Sequence, residues 1–324
     1  MVKAIHFKTP GGPEVLEMTD IDLAAPAAGE ITVRHTAIGL NFIDTYHRSG
    51  LYPLPLPAGI GMEGAGVVEA AGSAVSDLKV GDRVAYASPP PGSYAEARNI
   101  AADRVVKIPA GVEDQTAAAM MLKGMTAQYL IRQIYKVGKG DTILIHAAAG
   151  GVGQIVCQWA NHLGATVIGT VGSKEKAEIA KANGCHHPVL YNDEDFVERV
   201  KEITDGKMLP VVYDSIGATT FDKSLDCLRP RGLMVSFGQA AGPIPPVNLG
   251  VFAQKGSLFF TRPTLFNYIS TAADLRATAG DLFDAVSSGA VKIHIDQTFP
   301  LAEARAAHEA LEARKTTGST ILIP

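Results

Sequence analysis

Thr142-Ile143-Leu144-Ile145-His146-Ala147-Ala148-Ala149-Gly150-Gly151-Val152-Gly153 decides the fold of this chain. A β-type apolar run breaks into a loop of small residues and then opens an amphipathic segment. Strand, glycine-rich turn and helix in that order are the context a dinucleotide-phosphate loop requires. In that arrangement Gly150 lets backbone amides approach a pyrophosphate, and Gly153 lets the helix pack close to the strand. The helix N-terminus adds unpaired N–H groups and the positive end of its dipole. Ala148 stands where G-x-G-x-x-G has its first glycine, and the bland alternative is a set of glycines serving only a tight turn.

Outward from the loop, the pattern alternates. Strands are expected at 142–146, 166–171, 211–214 and 233–237, and helices at 151–163, 174–183, 194–203 and 220–228. Such βαβ repetition with apolar strands predicts a doubly wound parallel sheet covered by helices on both faces. Toward the N-terminus, residues 31–108 are short β-type runs between Gly and Pro turns, and helices at 115–122 and 125–137 mark the change of texture. Past Arg262-Pro263 the alternation loosens. Helices near 275–287 and 302–312 and a strand at 320–323 are expected to return to the β-rich part. The 324 residues exceed the roughly 250 to 300 that one core supports, so an α/β chain of two domains is the expectation.

The bulk numbers exclude several function classes. With 29 basic and 33 acidic residues the net charge is −4, which provides no electrostatic footprint for nucleic acid or an anionic membrane. Val2-Lys3-Ala4-Ile5-His6-Phe7 alternates like a strand and lacks the basic leader and apolar core of a secretory signal. No run reaches the roughly 18 apolar residues of a membrane span. Cys157, Cys185 and Cys227 are few, odd in number and dispersed, which fits a reducing compartment and makes the cytoplasm the expected location.

The cofactor's identity is written about 20 residues past the loop. A site selective for NAD carries an Asp or Glu at the end of the second strand, for the ribose 2′-hydroxyl. Here the text is Thr170-Val171-Gly172-Ser173-Lys174-Glu175-Lys176, with a hydroxyl and two lysines suited to a 2′-phosphate. NADPH is therefore expected. The competing account makes Ser173 an N-cap and the lysines a solvated face, and Glu175 is the residue that counts against a phosphate.

A β-rich domain joined to a dinucleotide domain raises the question of zinc, since zinc alcohol dehydrogenases share that organisation. No cysteine precedes Cys157, and Gly61-Met62-Glu63 offers a thioether where a His ligand would be expected. Cys185-His186-His187 is better explained as a surface turn, and the other histidines are dispersed singles. No metal is expected.

Asn41-Phe42-Ile43-Asp44, Tyr52-Pro53, Gly61 to Gly66, Gly81-Asp82-Arg83-Val84, Ala147 to Gly153 and the tail Gly318 to Pro324 together resemble the zeta-crystallin-like quinone oxidoreductases, a zinc-free branch of the medium-chain dehydrogenase/reductase superfamily. The resemblance covers nearly the whole chain. It implies a GroES-like catalytic domain over 1–121 and 265–324, an inserted Rossmann domain over 122–264, a homodimer, and direct hydride transfer from NADPH to a quinone. It also places Asn41, Asp44 and Tyr46 beside the nicotinamide with Tyr52 nearby, and Thr126 close to the cofactor phosphates. Gly150, Gly151, Val152 and Gly153 fall at the pyrophosphate, and Ser173, Lys176 and Tyr191 at the adenosine phosphate. Ser215, Phe237, Gly238, Thr261, Arg262 and Arg314 surround the rest.

Chemistry supports several of these roles independently. The Asn41 amide can bond a carboxamide or a ribose hydroxyl, and Tyr46 or Tyr52 can stack or donate a proton. Asp44 as a general acid would need a raised pKa; a turn or cap between strand and helix is the plainer role for Asn41 and Asp44. Arg314 is equally well a solvated charge. A quinone needs little acid catalysis, because its reduction restores aromaticity and water can supply the protons, so proximity and orientation carry the rate. Two rival functions remain: an enone or enoyl-thioester reductase, for which a tyrosine would protonate the enolate, and a non-enzymatic crystallin-like or RNA-binding protein that keeps cofactor affinity.

Overall fold

Alternating strands dominate the N-terminal part of the computed structural model, which describes residues 1–324. β1 (Val2–Phe7) pairs antiparallel with β2 (Glu17–Ile21) and β4 (Ala58–Gly59). The long β3 (Glu30–Leu40) is the spine of a second sheet, flanked by β5 (Glu63–Ala71) and β7 (Ala97–Ala101) and extended by β6 (Arg83–Ala87) and β8 (Val106–Lys107). β3 feeds two cores. Ile31 and Val33 pack with Val68, Val84, Tyr86 and Ile100, whereas Ile38 and Leu40 pack with Ile5, Phe7, Tyr94 and Leu322. The register against β5 shifts at Thr32/Val33 and again at His35/Ala37, and such irregularities re-aim side chains between the faces of a strand.

α1 (Phe42–Arg48) follows β3 directly, and α2 (Asp114–Gln128) continues into a π-helical turn at Tyr129–Ile134. The two helices expected at 115–122 and 125–137 are thus one. Gly124 does not break it, because its bare face receives Leu282: a Cβ there would lie 2.5 Å from Leu282 Cδ1.

The next six strands form one parallel sheet: β9 (Thr142–Ile145), β10 (Thr166–Val171), β11 (His187–Leu190), β12 (Leu209–Asp214), β13 (Leu228–Ser236) and β14 (Phe259–Thr261). Their order is β11-β10-β9-β12-β13-β14, so the winding reverses between β9 and β12, the switch point at which such sheets bind ligands. α3 (Gly151–His162) and α4 (Lys174–Ala182) follow β9 and β10, and α5 (Phe196–Ile203) and α6 (Phe221–Asp226) cover a core of Leu144, Ile168, Val189, Val212 and Met234. α7 (Gly250–Gln254) and α8 (Leu265–Tyr268) end this stretch.

The Cys185-His186-His187 turn is corrected. His187 opens β11 opposite Ile168, His186 Nδ1 accepts the Val167 N–H at 3.0 Å, and Cys185 is buried. β11 and β14 escape a pattern search because His187-Pro188-Val189-Leu190 opens on a polar residue and a proline, and Phe259-Phe260-Thr261 is too short to display a period.

α9 (Ala272–Ser287), β15 (Ile295–Pro300), α10 (Ala304–Glu312) and β16 (Ser319–Ile323) complete the chain, with β16 antiparallel to β3. Two compact units result: Met1–Met125 with Ile269–Ser287 and Ile293–Pro324, and Thr126–Tyr268 with Ser288–Lys292. All three cysteines are buried and unbridged, and no helix is long and apolar enough to cross a membrane.

Candidate active site

In the first unit the candidate residues gather where β3 ends. Asn41 is extended (φ −135°, ψ 154°) and N-caps α1, so its own N–H needs an acceptor. Asp44 supplies one: its Oδ2 accepts that N–H at 2.9 Å and the Tyr94 hydroxyl at 2.9 Å. Oδ1 is buried without a partner, and burial pushes the Asp44 pKa up to about 7 against the pull of these donors and of Lys123.

Behind Tyr94 the hydrogen-bond directions are determined. Arg48 can only donate, so at 3.0 Å it makes His308 Nδ1 an acceptor. His308 Nε2–H then donates to the Tyr94 oxygen at 3.2 Å, leaving the Tyr94 proton for Asp44. Burial, with Arg48 alongside, lowers the His308 pKa to about 3, so the ring stays neutral and the chain stays intact. Arg48 finishes on Glu312 at 2.6 Å.

Glu63, at the start of β5, is fully enclosed. Its Oε2 accepts from Asn41 Nδ2 and its Oε1 from the Leu122 backbone, each at 2.7 Å. The Lys123 ammonium stands 3.6 Å from Oε2 and donates to the Leu40 carbonyl at 3.0 Å. Burial raises the Glu63 pKa, while Lys123 and then Asn41 oppose the rise. Tyr46 and Tyr52 are half-buried, their rings edge to face at 5.2 Å, with Phe42 against Tyr46. They expose aromatic surface next to the Asn41 turn.

In the second unit the glycine-rich loop after β9 is held by its neighbours. Ala147 takes a left-handed φ of +54°, its carbonyl accepts the Gly150 N–H at 2.9 Å, and Gly150 caps α3. A Cβ on Gly153 would collide with the Ala147 carbonyl and Ala148 Cα, so only glycine allows this approach of helix to strand. The Ala148 methyl occupies room that Gly169 leaves on β10, where a Cβ would come within 2.5 Å of it. That exchange accounts for the missing first glycine.

Ser173 is indeed the N-cap of α4, accepting the Lys176 N–H at 3.3 Å, and Lys176 therefore rises from the first turn beside it. The Glu175 carboxylate is held low first by its own N–H and then by the Ser173 hydroxyl, and its side chain is exposed. Tyr191, 43% exposed, follows β11. Asp214 at the end of β12 fixes the next turn: Oδ1 accepts the N–H groups of Ile216 and Gly217, and Oδ2 the hydroxyls of Thr220 and Ser224. This sets the backbone of Ser215, whose carbonyl accepts the Ala240 N–H at 3.0 Å across the Phe237-Gly238 turn.

Arg262, just beyond Thr261 on β14, donates to the Ser236 carbonyl at 3.2 Å, and with Gly238 it borders a largely apolar cavity of about 330 Å³. Thr126 is buried and hydrogen-bonded to Tyr129. Arg314 belongs to the other unit. With φ +57° and an exposed side chain just past α10, it occupies the left-handed position that ends many helices.

The C-terminal ends of the parallel strands thus carry Gly150 to Gly153 after β9, Ser173 and Lys176 after β10, Tyr191 after β11, Ser215 after β12, Phe237 and Gly238 after β13, and Thr261 and Arg262 at the end of β14. Their donor set suits NADPH, with backbone amides for a pyrophosphate, a hydroxyl and a lysine for a 2′-phosphate, and no carboxylate closing β10. Sequence reasoning missed Glu63 as a partner of Asn41, and with it Lys123, Tyr94 and His308. The available signal was a lone lysine in the apolar helix text Met120-Met121-Leu122-Lys123-Gly124.

Family models agree with this arrangement. One described as "Zinc-binding dehydrogenase" matches residues 151–284, and one described as "Alcohol dehydrogenase GroES-like domain" matches residues 27–139. Over the full length of both chains the sequence is 56% identical to the quinone oxidoreductase of Pseudomonas aeruginosa. The crystal structure of Escherichia coli quinone oxidoreductase complexed with NADPH superimposes with a TM-score of 0.98 at 50% identity, covering 99% of this chain and 100% of that one. A 2-haloacrylate reductase of a Burkholderia species is 48% identical over 100% of this chain and 99% of its own.

Proposed function

The chain belongs to the quinone oxidoreductases of the medium-chain dehydrogenase/reductase superfamily, and from that premise we propose how its residues share the reduction of a quinone by NADPH. The observation that carries the cofactor side is the loop at Gly150 to Gly153 followed by Ser173 and Lys176 with no carboxylate at the end of β10. NADPH supplies the hydride; the protein binds, aligns and shelters.

Amides at the start of α3, aided by its dipole, hold the pyrophosphate. Lys176 and Ser173 take the 2′-phosphate, Glu175 turning outward, and Tyr191 lies along the adenosine. Ser215, Phe237, Gly238, Thr261 and Arg262 border the rest of the cofactor. Asn41 supplies a directed amide, and Tyr46 and Tyr52 offer rings against which a flat acceptor stacks. Asp44 is enclosed, so its part is to hold the Asn41 turn and the start of α1 rather than to touch the acceptor. Hydride transfer leaves the hydroquinone monoanion, which takes its one remaining proton from water, and orientation supplies most of the rate.

The reaction needs no metal in this account. Met62 is a poor zinc ligand, and no three His, Cys, Asp or Glu side chains come together as a ligand set. A homodimer is favoured by the edge strand β14, whose Phe259 is 61% exposed. The unbridged cysteines suit the cytoplasm.

The haloacrylate reductase relative supports a second reading, reduction of an activated alkene with Tyr46 or Tyr52 as proton donor. Purified protein assayed for NADPH oxidation against 1,4-benzoquinone, a cyclic enone, 2-chloroacrylate and an enoyl thioester separates the two. Turnover at least tenfold faster with the quinone is expected; turnover with the alkenes alone would replace the quinone assignment.

A further inference from the structure

We propose that Glu63 is a positioning residue for the reduction: it locks the Asn41 amide with its nitrogen turned inward, so that the amide oxygen is the end Asn41 offers to the cofactor. The inference rests on the reading that Asn41 lies beside the nicotinamide ribose.

An asparagine amide can present either end, and only its surroundings decide which. Here Nδ2 donates to Glu63 Oε2 at 2.7 Å, and its other proton faces the Gly39 carbonyl at 3.5 Å. Both donors are therefore turned toward protein. The amide oxygen faces the Asp44 N–H, completing a capping box at the start of α1, and keeps a lone pair for a ligand hydroxyl or carboxamide N–H. A carboxylate is suited to enforce this orientation, because when ionised it accepts only, and the amide cannot rotate without setting oxygen against oxygen.

The niche for Glu63 is built for that purpose. Gly39 on β3 has no side chain, and a Cβ there would collide both with Glu63 Oε2 and with the Ala118 carbonyl of α2. The Leu122 N–H fixes the other oxygen at 2.7 Å. Lys123, itself only 8% exposed, stands as counter-ion at 3.6 Å and is tied to Leu40, the residue before Asn41. Three elements thus converge on a buried ion pair whose outward contact is the Asn41 amide. A buried ion pair is weak evidence of stabilisation, since desolvation offsets its attraction, which leaves orientation as the gain.

In Glu63→Gln, the new side chain has one acceptor where the carboxylate had two. One of its oxygens becomes an NH2 that opposes either Asn41 Nδ2 or the Leu122 N–H, so the Asn41 amide loses its enforced orientation. The expected result is a fall of about tenfold or more in kcat/KM for NADPH. Combined with Asn41→Ala, Glu63→Gln should cost nothing further. If the two losses multiply, Glu63 acts other than through Asn41, and the proposal is overturned. If Asn41→Ala alone leaves kcat and KM unchanged while the screen above still shows quinone turnover, Asn41 does not face the cofactor; the premise fails and the proposal with it, but the enzyme assignment stands.

A measurement on the unaltered protein guards against variants that fail to fold. In protein labelled with 15N-asparagine, the Asn41 side-chain NH2, identified by its loss in Asn41→Asp, should exchange slowly with solvent and remain slow when NADPH is added. Fast exchange without cofactor, or a switch to the cofactor as partner on binding, would overturn the inward orientation.

Discussion

Asp44 shows how one residue's environment sets a measurable pH dependence. Its pKa of about 7 in the fold lies above the ordinary 3.8, because burial penalises the charged form more than its donors favour it. Between about pH 4 and pH 7 the folded protein therefore keeps a proton that the unfolded chain has released. The stability from this group is fully present below about pH 4 and is lost as pH rises through about 7. In Asp44→Asn the group cannot titrate. The difference in unfolding free energy between the natural protein and the variant, from urea titrations at pH 4 to 7.5, should shrink with rising pH by on the order of 4 kcal/mol at most. Parallel curves would show that Asp44 is ionised throughout. What the sequence made legible is local structure: the Gly150 cap and the close approach at Gly153 directly follow β9, and the Ser173 N-cap directly follows β10. Glu63 and Lys123 are 60 positions apart and meet only through the packing of β5 against α2, so no spacing rule could join them. The departure at Ala148 likewise needed Gly169, its neighbour across the sheet, to be understood.

At the scale of elements, long periodic helices and buried strands matched their sequence patterns closely, as β10 and α3 show, whereas α2 did not. Gly124 lies in the gap between the two expected helices, and glycine costs about 1 kcal/mol against alanine in a helix. What overrides that preference is Leu282 of α9, wholly buried and pressed against the bare backbone at Gly124. Gly124→Ala sets about 1 kcal/mol of helical propensity against an overpacking cost of about 1–3 kcal/mol, and Leu282 has no exposed space into which to retreat. Overpacking should win, lowering the thermal midpoint by about 2 °C. A higher midpoint in differential scanning calorimetry would mean that α9 yields easily. β11 and β14 mark the other limit of the sequence: each is recognised by its parallel partner, β10 or β13, rather than by its own residues.

The whole molecule follows a division of labour between its two units. The parallel sheet carries the strand order, switch point and phosphate loop of a dinucleotide-binding domain, and the β-rich unit carries Asn41, Tyr46 and Tyr52 on a turn stiffened from behind by Glu63, Asp44 and Tyr94. The sequence carried both sets, one through a motif with a physical mechanism and the other through resemblance to a family. The buried network that orders the second set emerged only from the fold. Hydride passes directly from NADPH to the quinone in this account, with no metal to polarise the acceptor. The most direct test is the rate of NADPH oxidation by 1,4-benzoquinone after exhaustive dialysis against a strong chelator, using NADPH deuterated at the transferred position alongside ordinary NADPH. The account predicts an undiminished rate and, in single turnover, slower oxidation of the deuterated cofactor; loss of activity that added zinc restores, or no oxidation by any quinone, would contradict it.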